Sequence, residues 1–106
     1  YYKIEVRFNE QGGGSDFEDV FVYWIDAQTY LISYLAYSFH VNGGGLRFRS
    51  VKSSQIIKGI RFVEYDNYSP VNEEIALVDL DVAFEKNQLK KISEIILEKV
   101  RVDFVN

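Results

Sequence analysis

The chain opens on a period of two. Tyr2, Ile4, Val6 and Phe8 alternate with Lys3, Glu5 and Arg7, which predicts a strand with one face on a core and the other in water. Residues Asn9 to Asp16 hold three consecutive glycines and read as a loose hairpin connection. Val20 to Ile25 is apolar at every position. That predicts a central strand covered on both sides, with Val20, Val22 and Trp24 on one face and Phe21, Tyr23 and Ile25 on the other. Asp26 to Thr29 reads as a tight turn, because an Asp carboxylate caps nearby backbone N–H groups. Tyr30 to His40 returns as a long strand.

Asn42 to Gly45 reads as the next turn and Leu46 to Val51 as the next strand. A four-residue loop would pair Phe39 with Phe48, Ser38 with Arg49 and His40 with Arg47. One face of this hairpin would then gather Tyr34, Ser38, His40, Arg47 and Arg49, a grouping that a one-residue change of register undoes. Lys52 to Lys58 reads as a connection, with a short bridge at Gln55–Ile57. Ile60 to Asn67 is a further strand, stopped by Tyr68-Ser69-Pro70. Acidic residues before Leu77, Leu80 and Phe84 predict a helix from about Glu74 to Lys86. A last strand is expected from about Ser93 to Val105. The composite is an α+β domain, an antiparallel meander of about six strands with one helix near the C-terminus.

Composition narrows the function classes. At 106 residues, with 47% hydrophobic residues, the chain can bury a single core. Its eight Tyr, eight Phe and one Trp suit strands, pockets and interfaces where a ring is half buried and half wet. A net charge of −4 with acids and bases interspersed argues against a nucleic-acid footprint, which would be basic and clustered. With no Cys, disulfide and thiolate chemistry are excluded. No run of 18 apolar residues is present, so no transmembrane segment is expected. The chain starts at Tyr1 with its strand pattern already running. We therefore expect residues 1–106 to be a single domain forming the C-terminal part of a longer protein.

Few residues offer chemistry. The one His, His40, lies about 7 Å along a strand from Ser38, too far for a nucleophile–base hydrogen bond without a bend in the backbone. A partly buried, hydrogen-bonded imidazole at a strand end is the plainer reading. Asp16, Glu18 and Asp19 sit beside a glycine turn but lack the ordered ligand spacing of a calcium loop, and a solvated acidic turn accounts for them. No metal site and no cofactor are expected. Arg47 and Arg49, at alternate positions of one strand, could grip a carboxylate or phosphate. The plainer reading has them lie over aromatic surface and pair with Glu64 or Asp66.

The ordered motifs from Tyr23-Trp24-Ile25 to Ser38-Phe39-His40, then the glycines, Arg47-Phe48-Arg49, Gly59 to Phe62 and Asn67 to Pro70 resemble a family of uncharacterised proteins of Bacteroidetes-type bacteria, many of them exported. The strand–turn–strand Trp-Ile-Asp-x-x-Thr, here Trp24 to Thr29, is also similar to that of the periplasmic lipoprotein carriers. Those fold as a curved half-barrel of antiparallel strands closed by helices and hold acyl chains in its hollow. The resemblance implies a half-barrel-like sheet and a periplasmic or outer-envelope location. It also implies a non-enzymatic module that holds an apolar small molecule or lipid, or a lipoprotein-like partner. The expected ligand-binding residues are Trp24, Tyr34, Ser38, His40, Arg47 and Arg49, with no catalytic residue. Two alternatives stand beside this: a structural or interaction domain that forms a homodimer through sheet edges, and an enzyme in which Arg47 and Arg49 anchor an anionic substrate and His40 is the acid or base.

Overall fold

The computed structural model describes residues 1–9, 18–39, 44–72 and 74–103. Six strands, β1 (Tyr2–Asn9), β2 (Glu18–Ile25), β3 (Ile32–Phe39), β4 (Gly45–Ile57), β5 (Ile60–Pro70) and β6 (Leu89–Ile95), form one sheet in chain order. Every neighbouring pair is antiparallel, so the expected meander is present, and the sheet stays open with β1 and β6 at its two ends. The register shifts between Trp24 and Ile25, Val51 and Ser53, and Asn67 and Tyr68. Such bulges bend strands and increase their twist. Between β5 and β6 lie a 3₁₀ turn (Leu77–Asp79) and a short helix α1 (Leu80–Glu85).

Local chemistry explains the turns. Asp26 Oδ1 accepts hydrogen bonds from the Gln28 and Thr29 amides at 2.8 and 2.9 Å, and the Asp26 amide bonds the Leu31 carbonyl at 2.9 Å. This six-residue closure, Asp26 to Leu31, uses Tyr30 and Leu31, which puts Tyr30 at φ 58° and starts β3 at Ile32 rather than at Tyr30. Lys58 and Gly59 both have positive φ (51° and 82°) between paired Ile57 and Ile60. Such a two-residue turn matches the twist of the strands it joins.

Three sequence expectations are corrected. Lys52–Lys58 is no connection, because Lys52 to Ile57 is the second half of the 13-residue β4. Its Ser-Ser-Gln run is exposed, so no apolar alternation marks it. The helix is shorter than Glu74–Lys86. Asn72 Oδ1 accepts the Glu74 amide at 2.9 Å, and Ala76 is extended at ψ 148°, so the local side-chain bond competes with helix and holds the chain in a turn. At its other end the Gln88 amide reaches back to the Ala83 carbonyl at 2.8 Å around Asn87, at φ 57°. Asn tolerates this left-handed cap without glycine. The last strand is Leu89–Ile95, not Ser93–Val105. Beyond it, side chains and not a backbone ladder bridge to the chain: Glu64 Oε2 accepts the Leu97 amide at 3.0 Å and Lys58 Nζ donates to the Val102 carbonyl at 2.7 Å.

The core lies on one side of the sheet. Val22, Trp24, Ala36 and Phe48 are buried against Leu80 of α1, whose Ala83 is buried as well. Phe48 is the hub: its ring centroid is 5.7 Å from Trp24, 5.3 Å from Tyr34 and 5.1 Å from Phe84, in tilted or edge-on geometries that suit aromatic quadrupoles. Phe84 also meets Tyr68 at 5.1 Å. Since α1 has only six residues, it cannot hold itself as a helix and depends on this packing. Leu80→Ala should therefore cost about 2–5 kcal/mol. Val82→Ala, on the exposed side of α1, should stay within about 0.5 kcal/mol. Denaturant unfolding of the two variants checks this, and equal losses would show that α1 does not close the core.

Candidate functional site

Because side chains alternate along every strand, the cross-strand pairs define two faces. Trp24, Ala36 and Phe48 mark the one under α1. The other carries Tyr2, Ile4 and Val6 from β1, Phe21, Tyr23 and Ile25 from β2, Leu35, Tyr37 and Phe39 from β3, and Arg47 and Arg49 from β4. No helix among the described residues lies over this second face. The two-sided cover expected for β2 is thus absent from one side: Val22 and Trp24 are buried, whereas Phe21, Tyr23 and Ile25 are only half-buried.

The first strand is inverted relative to expectation. Its alternation is as read, but its apolar stripe points to the uncovered side, leaving Tyr2 52% and Ile4 44% exposed. Its lysine points to the helix side. Lys3 Nζ donates to the Val78 carbonyl at 2.8 Å, lies 3.8 Å from Asp81 Oδ1 and sits 5.7 Å from the Trp24 ring centroid. Lys3 thereby uses its charge to tie β1 to the 3₁₀ turn and α1. The apolar stripe is turned outward as a consequence.

On the uncovered face the aromatic rings are ordered against one another. Phe21 stacks on Tyr23 at 6.4 Å and meets Tyr37 at 5.8 Å. The Arg47 guanidinium lies 4.6 Å from the Phe39 ring centroid and that of Arg49 lies 5.2 Å from Tyr37. Arg49 Nη2 also donates to the Tyr37 hydroxyl at 3.2 Å, and Arg47 Nη1 to the Leu46 carbonyl at 2.9 Å. Gly45 stands opposite Phe39, and a Cβ there would come within 2.8 Å of the ring. Glycine lets the ring lie across the neighbouring strand, where Arg47 caps it. Neither arginine has a carboxylate partner among the described residues, so the expected pairing with Glu64 or Asp66 is not made. Glu64 instead accepts from Ser53 and Leu97, and Asp66 pairs with Lys91 at 3.2 Å. Arg49 Nε is buried without a hydrogen-bond partner.

The expected grouping of Tyr34, Ser38, Arg47 and Arg49 does not form. Ser38 pairs with Leu46 rather than Arg49, and Phe39 with Gly45 rather than Phe48, a shift of three positions. An odd shift turns one strand's side chains to the opposite face. Gly45 joins the strand instead of the turn, and Phe48 goes under α1, where it buries fully. Of the six expected ligand residues, Trp24, Tyr34 and Ser38 therefore lie on the helix side and Arg47 and Arg49 on the uncovered side. His40 lies outside the described residues. Trp24 is 1% exposed, and Ser38 Oγ accepts a 3.4 Å bond from the Val20 amide. The residues not singled out from sequence are Phe21, Tyr23, Leu35, Tyr37 and Phe39. Their signal was present in β2, whose second apolar face is covered by no helix among the described residues.

Tyr34 reports the helix-side packing by its acidity. Burial pushes its phenol up to about 12, helped by the Tyr1 side chain and the nearby carboxylates of Glu85 and Asp81. An unfolded tyrosine loses its proton near pH 10. The neutral phenol thus favours the fold fully below about pH 10, and that contribution fades as pH rises toward 12. Stability should fall more steeply over this range in the native protein than in Tyr34→Phe. Parallel slopes in denaturant midpoints against pH would contradict the assignment.

Among the described residues, no cluster of three His, Cys, Asp or Glu could hold a metal ion, and no helix is long and apolar enough to cross a membrane. No curated protein and no solved structure matches the chain. The model of a family of unknown function (DUF6503) matches residues 1–97, and the chain belongs to that family.

Proposed function

We propose that the protein is a non-enzymatic binding module that holds an amphipathic ligand, an acyl chain bearing an acidic group, on the uncovered face of its sheet. The observation that carries this reading is the outward apolar stripe of β1 continuing across the rings of β2 and β3 to Arg47 and Arg49. A contiguous apolar patch of this kind marks a ligand or partner surface. The apolar body would cover Ile4, Phe21, Tyr23 and Leu35. The acid would meet guanidinium groups that have no carboxylate partner among the described residues. The similarity of Trp24–Thr29 to the periplasmic lipoprotein carriers supports an acyl ligand and a place in the bacterial envelope, as does the similarity of the wider motif string to exported Bacteroidetes-type proteins.

A second reading rests on a separate observation. β4 pairs with β3 only as far as Ser50, so Val51–Ile57 has no strand partner on that side among the described residues, and Ile56 is 71% exposed. Such an edge can pair with a second copy. Sedimentation equilibrium tests this, and a monomer at high concentration removes it.

Calorimetric titration with tetradecanoate tests the main reading. Saturable binding is expected, and Arg47→Gln with Arg49→Gln should weaken it by about tenfold or more, since a charge-assisted hydrogen bond contributes about 1.5–3 kcal/mol. Tetradecanol should bind the double variant and the native protein alike. Absence of saturable binding, or equal affinity of both proteins for the acid, would sink the proposal.

A further inference from the structure

At the start of β3 the sheet steps back. β3 ends its pairing at Tyr34 opposite Ser50, while β4 and β5 run on to their turn at Lys58-Gly59. In the step lies a notch of about 310 Å³, walled by Leu31 and Val51 and lined by Thr29, Ser33, Ser50 and Arg61. Its size is at the lower end for small-molecule sites, and its lining is polar and apolar in about equal measure.

Arg61 is the unusual member. It pairs with Ile56 in the ladder, yet its side chain crosses β4 to reach the Ile32 carbonyl, where Nη1 makes a long contact of 3.4 Å. Its Nε is buried with no hydrogen-bond partner, and it forms no ion pair among the described residues. A buried, unmatched donor of a charged group is costly. The acids nearest in the sequence of the lining elements are already engaged. Asp26 Oδ1 takes the Gln28 and Thr29 amides, and Glu64 takes the Ser53 hydroxyl and the Leu97 amide. The turn that Asp26 caps also fixes Thr29 on the rim.

From this we infer that the notch is a carboxylate-binding site, in which the Arg61 guanidinium grips the acid and the hydroxyls of Thr29 and Ser33 bond its free lone pairs. A guanidinium presents donors in a fork that matches a carboxylate, and hydroxyls can turn to donate. Leu31 and Val51 would contact the carbon next to the acid. The site is separate from Arg47 and Arg49 and does not depend on the reading given for the uncovered face. The carboxylate could belong to a small free acid or to the acid end of a longer chain.

The Nε–H resonance of Arg61 in ¹H–¹⁵N spectra is the readout. Titration with acetate should move it downfield with saturation. The same titration of Arg61→Gln should leave the Ser33 and Ser50 amides unmoved. Arg61→Lys, which keeps the charge but loses the fork, should bind about tenfold more weakly. The Arg47→Gln, Arg49→Gln variant should respond as the native protein does, so failure here is distinct from failure at the uncovered face. Dodecanoate binding at far lower concentration than acetate, with Val51 and Leu31 methyls shifting, identifies a chain acid as the ligand; equal affinities identify a small one. A shift that grows without saturating, or Ser33 and Ser50 amides that still move in Arg61→Gln, overturns the site.

Discussion

The structure depends on where Phe48 goes. It is fully buried beneath α1, in contact distance of Trp24, Tyr34, Tyr68 and Phe84. Burying one such side chain contributes about 1.5–3 kcal/mol relative to exposure, and several of these rings share the cluster. A one-residue slip of β4 against β3 would carry Phe48 to the opposite face and bring an arginine under the helix. A guanidinium there would lack both water and a partner, which is far costlier than the loss of ladder bonds. The pairing of Ala36 with Phe48 follows. The smallest core side chain of the sheet faces the largest fully buried side chain of β3 and β4, leaving room for Phe84 above.

Two consequences follow from that choice. Placing Phe48 inside puts Arg47 and Arg49 outside, on the face where Phe39 and Tyr37 lie. It also leaves the helix side narrow, because α1 covers only the middle of the sheet. At the β1 end Lys3 substitutes for an apolar lid, its ammonium lying over the Trp24 ring and bonding the Val78 carbonyl. Long cationic side chains can cover apolar surface in this way while keeping their charge solvated or paired. At the β6 end the same side becomes polar, with Lys91 between Asp66 and Glu94 and Lys52 also on Glu94. The apolar area that the chain cannot bury on the helix side appears on the other.

Much of the meander was legible in the sequence, because alternation in β1, the doubly apolar β2 and the Asp26 turn are local signals with local causes. The helix ends were not, since the Asn72 side-chain bond and the left-handed Asn87 decide them and neither leaves a hydrophobic period. The second half of β4 was missed for a different reason. It is a strand by its pairing with β5, while Ser53, Ser54 and Gln55 show water on both sides. The candidate site was the least legible part. Whether Arg47 lies with Tyr34 or with Tyr37 turns on the parity of a loop containing three glycines, and glycine-rich loops specify parity weakly. The structure resolves parity through Phe48, a residue that had no part in the expected site.

Among the described residues, the arginines of the uncovered face are held without any acid. A cation over an aromatic ring contributes about 0.5–2 kcal/mol depending on its desolvation. Arg49 gains a bond to the Tyr37 hydroxyl as well, while its Nε stays unmatched. This is a compromise that the sheet could have avoided with one glutamate on β3, where Leu35 pairs with Arg49. An apolar residue there leaves the guanidinium charge uncompensated and keeps the surface beside it greasy. Those two properties conflict if the face only meets water, since water favours neither a half-buried leucine nor half-buried rings. They agree if something with an apolar body and a negative group covers the face. Arg61 repeats the pattern at the step of the sheet, with an orphaned Nε beside Val51 and Leu31. In both places a neutral wall adjoins a guanidinium with no carboxylate partner among the described residues, and an acid with a carbon chain is the chemistry that would satisfy both.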